Sequence, residues 1–243
     1  MACSVTDVRG FPGVQFTLGY PEAIGDIAGP FWFGTIKPVW EERADGAWLC
    51  RGEQPGQLTY EILMIPGEDS VTSRLTLTNR SDRTWKQGMA FNCVQCSGDP
   101  WIRDHECLRT WVRSTGQFKR LIELPRVFGP RPAIQLYSVE GAPPARDIPF
   151  VANFRATPED VVVEPWIAIV SRDGKRLVAT VSTPGLFLFQ NREYSCIHSG
   201  AGFGQLKPGE TGEALNTSYF VRSDLDDWYT RITANHERLF IPS

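Results

Sequence analysis

Two short segments hold most of the side chains able to move a proton or grip a polar ligand. The first, Cys93 to Arg113, carries Asp99, Arg103, Asp104, His105, Glu106, Arg109 and Arg113, with Trp101 and Trp111 between them. Carboxylates and guanidinium groups bond hydroxyls, and flat aromatic faces stack on the C–H faces of a sugar ring, so this mixture suits a carbohydrate. The same residues also suit a solvated, ion-paired loop with two core tryptophans, and the sequence leaves both readings open. The second segment is Tyr194 to Glu210, where His198 ends a predicted strand and Gly200, Gly202 and Gly204 follow as a glycine-rich loop. Histidine titrates near neutrality, which suits general acid–base work, although a solitary histidine also serves structure. The glycines are no dinucleotide fingerprint, because no helix opens after them and no βαβ unit encloses them.

The catalytic candidates are therefore His198 and His105, with Asp104 or Glu106 as the carboxylate partner. Arg109 and Arg113 are expected to hold a hydroxyl or carboxylate, and Trp101, Trp111 and Trp32 to act as stacking platforms. Cys93 and Cys96 have the two-residue gap of a zinc pair, which His105 or Cys107 could complete. A structural zinc site would offer a second such pair or a spaced histidine pair, and neither occurs. On a strand, moreover, positions 93 and 96 face opposite sides. The expectation is two reduced cysteines, no metal and no cofactor.

The elements that must position these residues are mainly strands. Val71, Leu75 and Leu77 alternate with Thr72, Arg74, Thr76 and Thr78, the pattern of a half-buried strand preceded by another over Leu58–Ile65. Asp173-Gly174 and Asp45-Gly46 each sit between β-rich runs and predict hairpins. Further strands are expected at Val14–Leu18, Phe31–Ile36, Met89–Cys96, Trp111–Val112, Phe118–Glu123, Ala133–Val139, Leu186–Gln190, Tyr194–His198 and Leu215–Val221. Glu140–Pro149 reads as a long surface loop. One helix is expected over about 224–240, with Ser223 as N-cap and Leu225, Trp228, Tyr229, Ile232, His236 and Leu239 on one face as a structural clamp.

Composition agrees with that order of elements. Glycine and proline, 22 and 18 of 243 residues, exceed the average share of about 12%, which favours many short elements. Lys+Arg 25 against Asp+Glu 28 gives a net charge of −3, without the basic field that nucleic acid or an anionic membrane would require. Met1–Gly10 has no charged region followed by an apolar run, and no stretch of 18 apolar residues occurs, so the chain reads as soluble and cytoplasmic. Six cysteines in a chain of this length imply no disulfide framework. The oligomeric state is not legible.

The order of three features resembles the galactose mutarotase-like β-supersandwich group. They are Leu-Thr-Leu-Thr-Asn79-Arg-Ser-Asp, then Ala90-Phe-Asn-Cys-Val-Gln-Cys, then Cys196-Ile-His198 with Phe203-Gly and Leu206-Lys-Pro-Gly-Glu210. The resemblance covers most of residues 50 to 240 and implies a large antiparallel β-sandwich that acts on or binds carbohydrates. The Asn-His-x-Tyr-Phe-type motif of true mutarotases is missing, so that assignment does not carry over. The expectation is one β-sandwich domain over 1–243 with a C-terminal helix. It acts on a sugar or uronic acid by His/carboxylate chemistry of epimerase, lyase or hydrolase type, or else is a non-catalytic carbohydrate-binding domain.

Overall fold

A strand sends successive side chains to opposite faces, so Leu58–Pro66 and Ser70–Asn79, where burial alternates, are covered on one face, while Leu177–Thr183 and Gly185–Asn191, buried at almost every position, are covered on both. A computed structural model describes residues 2–32, 34–36, 39–126, 133–144, 155–156 and 161–235. In chain order its strands are β1 (Ala2–Val5), β2 (Phe16–Asp26), β3 (Phe31–Trp32), β4 (Val39–Glu42), β5 (Trp48–Gln54) and β6 (Leu58–Pro66). They continue as β7 (Ser70–Asn79), β8 (Trp85–Gln95), β9 (Thr110–Ser114), β10 (Gln117–Arg120), β11 (Ile134–Val139) and β12 (Arg155–Ala156). The last are β13 (Val162–Val163), β14 (Trp166–Val170), β15 (Leu177–Thr183), β16 (Gly185–Asn191), β17 (Cys196–Leu206) and β18 (Thr211–Val221), before helix α1 (Leu225–Asn235).

The strands form two sheets. The first has the order β1-β2-β8-β17-β16-β11-β12, with β3 beside β2 and β13 beside β11. The second has the order β10-β9-β14-β15-β18-β7-β6-β5-β4. Pairing is antiparallel except where β12 and β13 run parallel to β11. The main core lies between the sheets, where Leu18, Ile24, Val94, Leu188 and Ile197 of the first meet Ile62, Leu75, Leu77, Ile169 and Val178 of the second. This is the expected antiparallel sandwich.

Both aspartate–glycine hairpins form. Glu42 pairs with Trp48 across Asp45-Gly46, and Val170 pairs with Leu177 across Asp173-Gly174. Gly174 has φ of +72°, a value that favours glycine at the turn. Phe118–Glu123 is not one strand, since β10 stops at Arg120 and a 3-10 turn covers Leu121–Glu123. The Glu123 carboxylate accepts the Arg120 backbone N–H at 2.8 Å and its guanidinium at 2.6 Å, which rolls the chain over. The segment after His198 is likewise not a loop, because β17 runs on to Leu206. Gly200 is small because a Cβ there would lie 2.8 Å from the Phe187 ring. The helix begins one residue later than expected, for the Asp224 carboxylate, not Ser223, accepts the Asp227 N–H at 2.9 Å. The His236–Leu239 part of the expected helix and residues 145–149 of the expected loop lie outside the described residues.

The outer faces of the two sheets differ. Leu225, Trp228 and Ile232 of α1 cover the second sheet against Trp166, Leu177, Ala179 and Val221, so the expected clamp is present. The first sheet carries a separate apolar layer of Met89, Phe91, Ile134, Leu136, Phe187 and Phe189.

Between the sheets lies a buried polar knot. The Asn92 amide of β8 donates to Thr180 Oγ1 at 2.8 Å and to Asn216 Oδ1 at 3.1 Å, and its carbonyl accepts the Ser199 N–H at 3.0 Å. Asn216 in turn donates to Ser182 Oγ at 2.9 Å. Unmade buried hydrogen bonds are expensive, so Asn92→Ala is expected to lower stability by about 2–3 kcal/mol. Thr78→Ala, on the exposed face, should stay within about 0.5 kcal/mol. Denaturant midpoints at unchanged slope measure both.

Candidate functional site

The site is built by register. Cys196 and His198 lie two residues apart on β17 and so share one face. Ile197 pairs with Val94 and Gly200 with Phe91, which puts Cys93 of β8 across from His198 on that face. On the other flank His198 pairs with Phe189 of β16. Their rings stack at 3.8 Å with an interplanar angle of 7°, and Phe91 approaches edge-on at 6.1 Å. In β2 the register jumps between Gly19 and Ala23, and within that irregularity Glu22 brings its carboxylate to 3.0 Å from His198 Nε2. Cys196 Sγ is 3.7 Å from the same nitrogen.

His198 is only 2% exposed, while the Glu22 side chain is 25% exposed and forms the side of the cluster nearer solvent. Trp32 stands at the rim, 37% exposed, with its ring 5.6 Å from Phe91. Burial by itself favours the neutral imidazole, but Cys93 and Glu22 beside the ring outweigh it and raise its pKa. A hydrogen bond with Cys196, together with burial, raises the Cys93 pKa well above the ordinary thiol range. Cys93 therefore stays a thiol near neutrality. His198 Nδ1 is buried without a hydrogen-bond partner among the described residues.

The structure brings only part of the expected site together. His198 and Trp32 lie on the outer face of the first sheet. Arg113 and Trp111 lie on the outer face of the second, on the other side of the sandwich. Arg113 donates to Glu164 at 2.6 Å and to the Tyr229 hydroxyl at 2.7 Å beneath α1. Trp111 is half-buried, with the Arg120 guanidinium 6.0 Å from its ring. Cys96 points into the core between the sheets, away from Cys93, so the Cys93/Cys96 pair does not converge.

The 99–109 segment turns its charges inward on itself. The buried Asp104 carboxylate accepts the Arg109 N–H and the Thr110 hydroxyl, each at 2.8 Å, and the Leu108 N–H at 3.2 Å. His105 is exposed and its Nδ1 donates to the Arg192 carbonyl at 2.6 Å; Glu106 accepts from the Arg192 guanidinium at 2.6 Å. Arg109 donates to the carbonyls of Val170 at 2.6 Å and Trp101 at 3.0 Å, and burial lowers its pKa. Trp101 is 49% exposed, with the Arg176 guanidinium 5.8 Å from its ring. Among the described residues, no hydrogen bond or ion pair joins Asp104, His105 or Glu106 to His198.

Sequence reasoning missed Glu22 and the meeting of Cys93 with Cys196. The available signal was Cys196-Ile-His198, whose alternation on a strand puts a thiol and an imidazole on one face. Glu22 lay beyond the expected end of its strand at Leu18.

No protein-family model matches the chain, and no curated protein matches it. Among solved structures it is similar to a galactose mutarotase-like protein from Lactobacillus casei, with TM-score 0.48 and 9% identity over 90% of this chain and 89% of that one. It is also similar to a galactose mutarotase related enzyme from Lactobacillus acidophilus, with TM-score 0.45 and 9% identity over 91% and 88%. A galactose mutarotase-like protein from Clostridium acetobutylicum gives TM-score 0.46 and 8% identity over 86% and 79%.

The bonds around Asp104 generate a test of the 99–110 segment. Asp104→Ala leaves its backbone donors unpaired, and is expected to cost about 2–3 kcal/mol and to speed amide exchange at Leu108 and Arg109. His105→Ala, at an exposed ring, should change stability by less than about 0.5 kcal/mol. Hydrogen exchange with mass spectrometry reads the first effect and thermal melts read both.

Proposed function

We propose that the chain is a carbohydrate-active enzyme whose working pair is Glu22 and His198. The observation that supports this reading is the carboxylate 3.0 Å from Nε2 on an aromatic floor. A carboxylate in contact with an imidazole makes one proton relay, in which Glu22 meets solvent and ligand while His198 holds or returns the proton. Trp32 at the rim offers a flat face to the C–H side of a sugar ring.

The spacing also bears on the type of reaction. Hydrolysis by paired carboxylates uses two groups about 5–9.5 Å apart on either side of the scissile bond, whereas among the described residues the cluster around His198 supplies one carboxylate in contact with one histidine. That favours chemistry in which a single relay moves a proton, at an anomeric hydroxyl or at a carbon next to a uronic carboxylate. Epimerase or lyase chemistry fits this better than hydrolysis. The described chain has no helix long and apolar enough to cross a membrane.

The test is turnover on a panel of aldoses and uronic acids, followed by polarimetry and proton NMR. Glu22→Gln and His198→Ala are each expected to lower kcat by about 10²–10⁴-fold, and Trp32→Ala to act mainly on KM. Glycan binding without turnover would favour the binding-domain reading, for which the exposed Trp32 and Trp101 are the platforms. Absence of both binding and turnover across the panel would overturn the proposal.

A further inference from the structure

The cluster around His198 contains more than a proton relay requires. Two thiols lie with the ring in a fully buried group, and the Cys93 sulfur, the Cys196 sulfur and an imidazole nitrogen all fall within 4.8 Å of one another. We propose that Cys93, Cys196 and His198 bind a thiophilic divalent cation of the zinc class, with Glu22 as fourth ligand.

The geometry is close to what such an ion needs. Zinc bonds of about 2.3 Å to sulfur and 2.0–2.1 Å to nitrogen set ligand atoms about 3.3–3.8 Å apart around a tetrahedron. The Cys196 sulfur and Nε2 are already 3.7 Å apart, and the remaining closure is about an ångström. Side-chain rotation on two adjacent central strands can supply it. These strands are flanked on both sides, by β2 and β16, so the ligands sit on rigid backbone, which favours a preorganised site.

Charge favours occupancy as well. Burial disfavours a lone thiolate, but one dication neutralises the two thiolates and leaves only the charge of the less buried Glu22 carboxylate, so the group can ionise as a unit. On binding, each thiol and the ligating imidazole nitrogen give up a proton to solvent, two sulfur–metal bonds, one nitrogen–metal bond and one carboxylate–metal bond form, and no oxidation state changes. Glu22, less buried than the other three, completes the set from the solvent side. The inference stands on the cluster and not on the sugar reading. The two meet at Nε2, since a metal held there removes that nitrogen from proton exchange with Glu22, and the loaded protein is expected to be inactive as a relay.

The test uses the full chain, reduced and stripped of metal, titrated first with Co²⁺ and then with Zn²⁺. One equivalent of cobalt should produce thiolate-to-metal charge-transfer absorption in the near ultraviolet, and one equivalent of zinc should abolish it. Cys93→Ser and Cys196→Ser should each weaken zinc binding by about 100-fold or more, and Glu22→Gln by about 10-fold. Cys3→Ser should leave it unchanged. If a variant fails to fold, alkylation of the unaltered chain decides, because zinc should protect Cys93 and Cys196 but not Cys3 in peptide mapping. No charge-transfer band, zinc affinity retained in folded Cys93→Ser and Cys196→Ser, or protection at other cysteines would overturn the proposal. Metal analysis needs no sugar, so its failure is distinguishable from failure of the catalytic reading.

Discussion

One buried amide ties the two sheets to each other and to the site. Asn92 stands on β8 with its side chain in the space between the sheets, where an unpaired polar group is costly. It reaches Thr180 on β15 and Asn216 on β18 in the opposite sheet, and the Ser199 backbone on β17 in its own. Apolar packing tolerates sliding more readily than this arrangement does, because a shift of one residue would turn Asn92 to the other face and strand every partner. Ser199 follows His198 directly. The bond that aligns the sheets therefore also sets the strand from which His198 projects, while Cys93, one residue after Asn92, projects to the opposite, outer face.

The outer faces are where the sandwich differentiates. The second sheet meets α1 through Trp166, with the rings of Trp228 and Tyr229 at 5.3 and 5.7 Å from that of Trp166. The first sheet instead carries phenylalanines around a histidine, two thiols and a carboxylate. In such an apolar setting opposite charges interact more strongly than in water. Against the preference of a buried imidazole for neutrality, Cys93 and the Glu22 carboxylate 3.0 Å from Nε2 together raise the pKa of His198.

The charge-rich 99–113 segment shows how sequence density misleads. Acids, bases and donors close together in sequence tend to satisfy one another, and here they do. Asp104 accepts from its own loop, Arg109 donates to nearby carbonyls, and Glu106 pairs with Arg192. Two turns named in the resemblance behave similarly. Asn79 donates to the Leu206 carbonyl at 2.9 Å, and its backbone carbonyl accepts from Gly209 at 2.8 Å, so the Asn79 and Lys-Pro-Gly turns brace each other.

The period-two pattern of Val71–Thr78, the two aspartate–glycine turns and the apolar stripe of Leu225, Trp228 and Ile232 were enough to read an antiparallel sandwich with a closing helix. These are local signals, carried by side-chain alternation and turn chemistry. Where a glycine served a neighbouring strand, as Gly200 does for Phe187, the local reading failed and a strand looked like a loop. His198 was visible as a residue able to titrate, and Cys196 two places before it as a companion on the same face. That Cys93 and Glu22 join them, and that Arg113 and Trp111 do not, was decided only by tertiary structure. Strand order and register are set by packing between segments far apart in the chain, and no spacing along one segment encodes its neighbour.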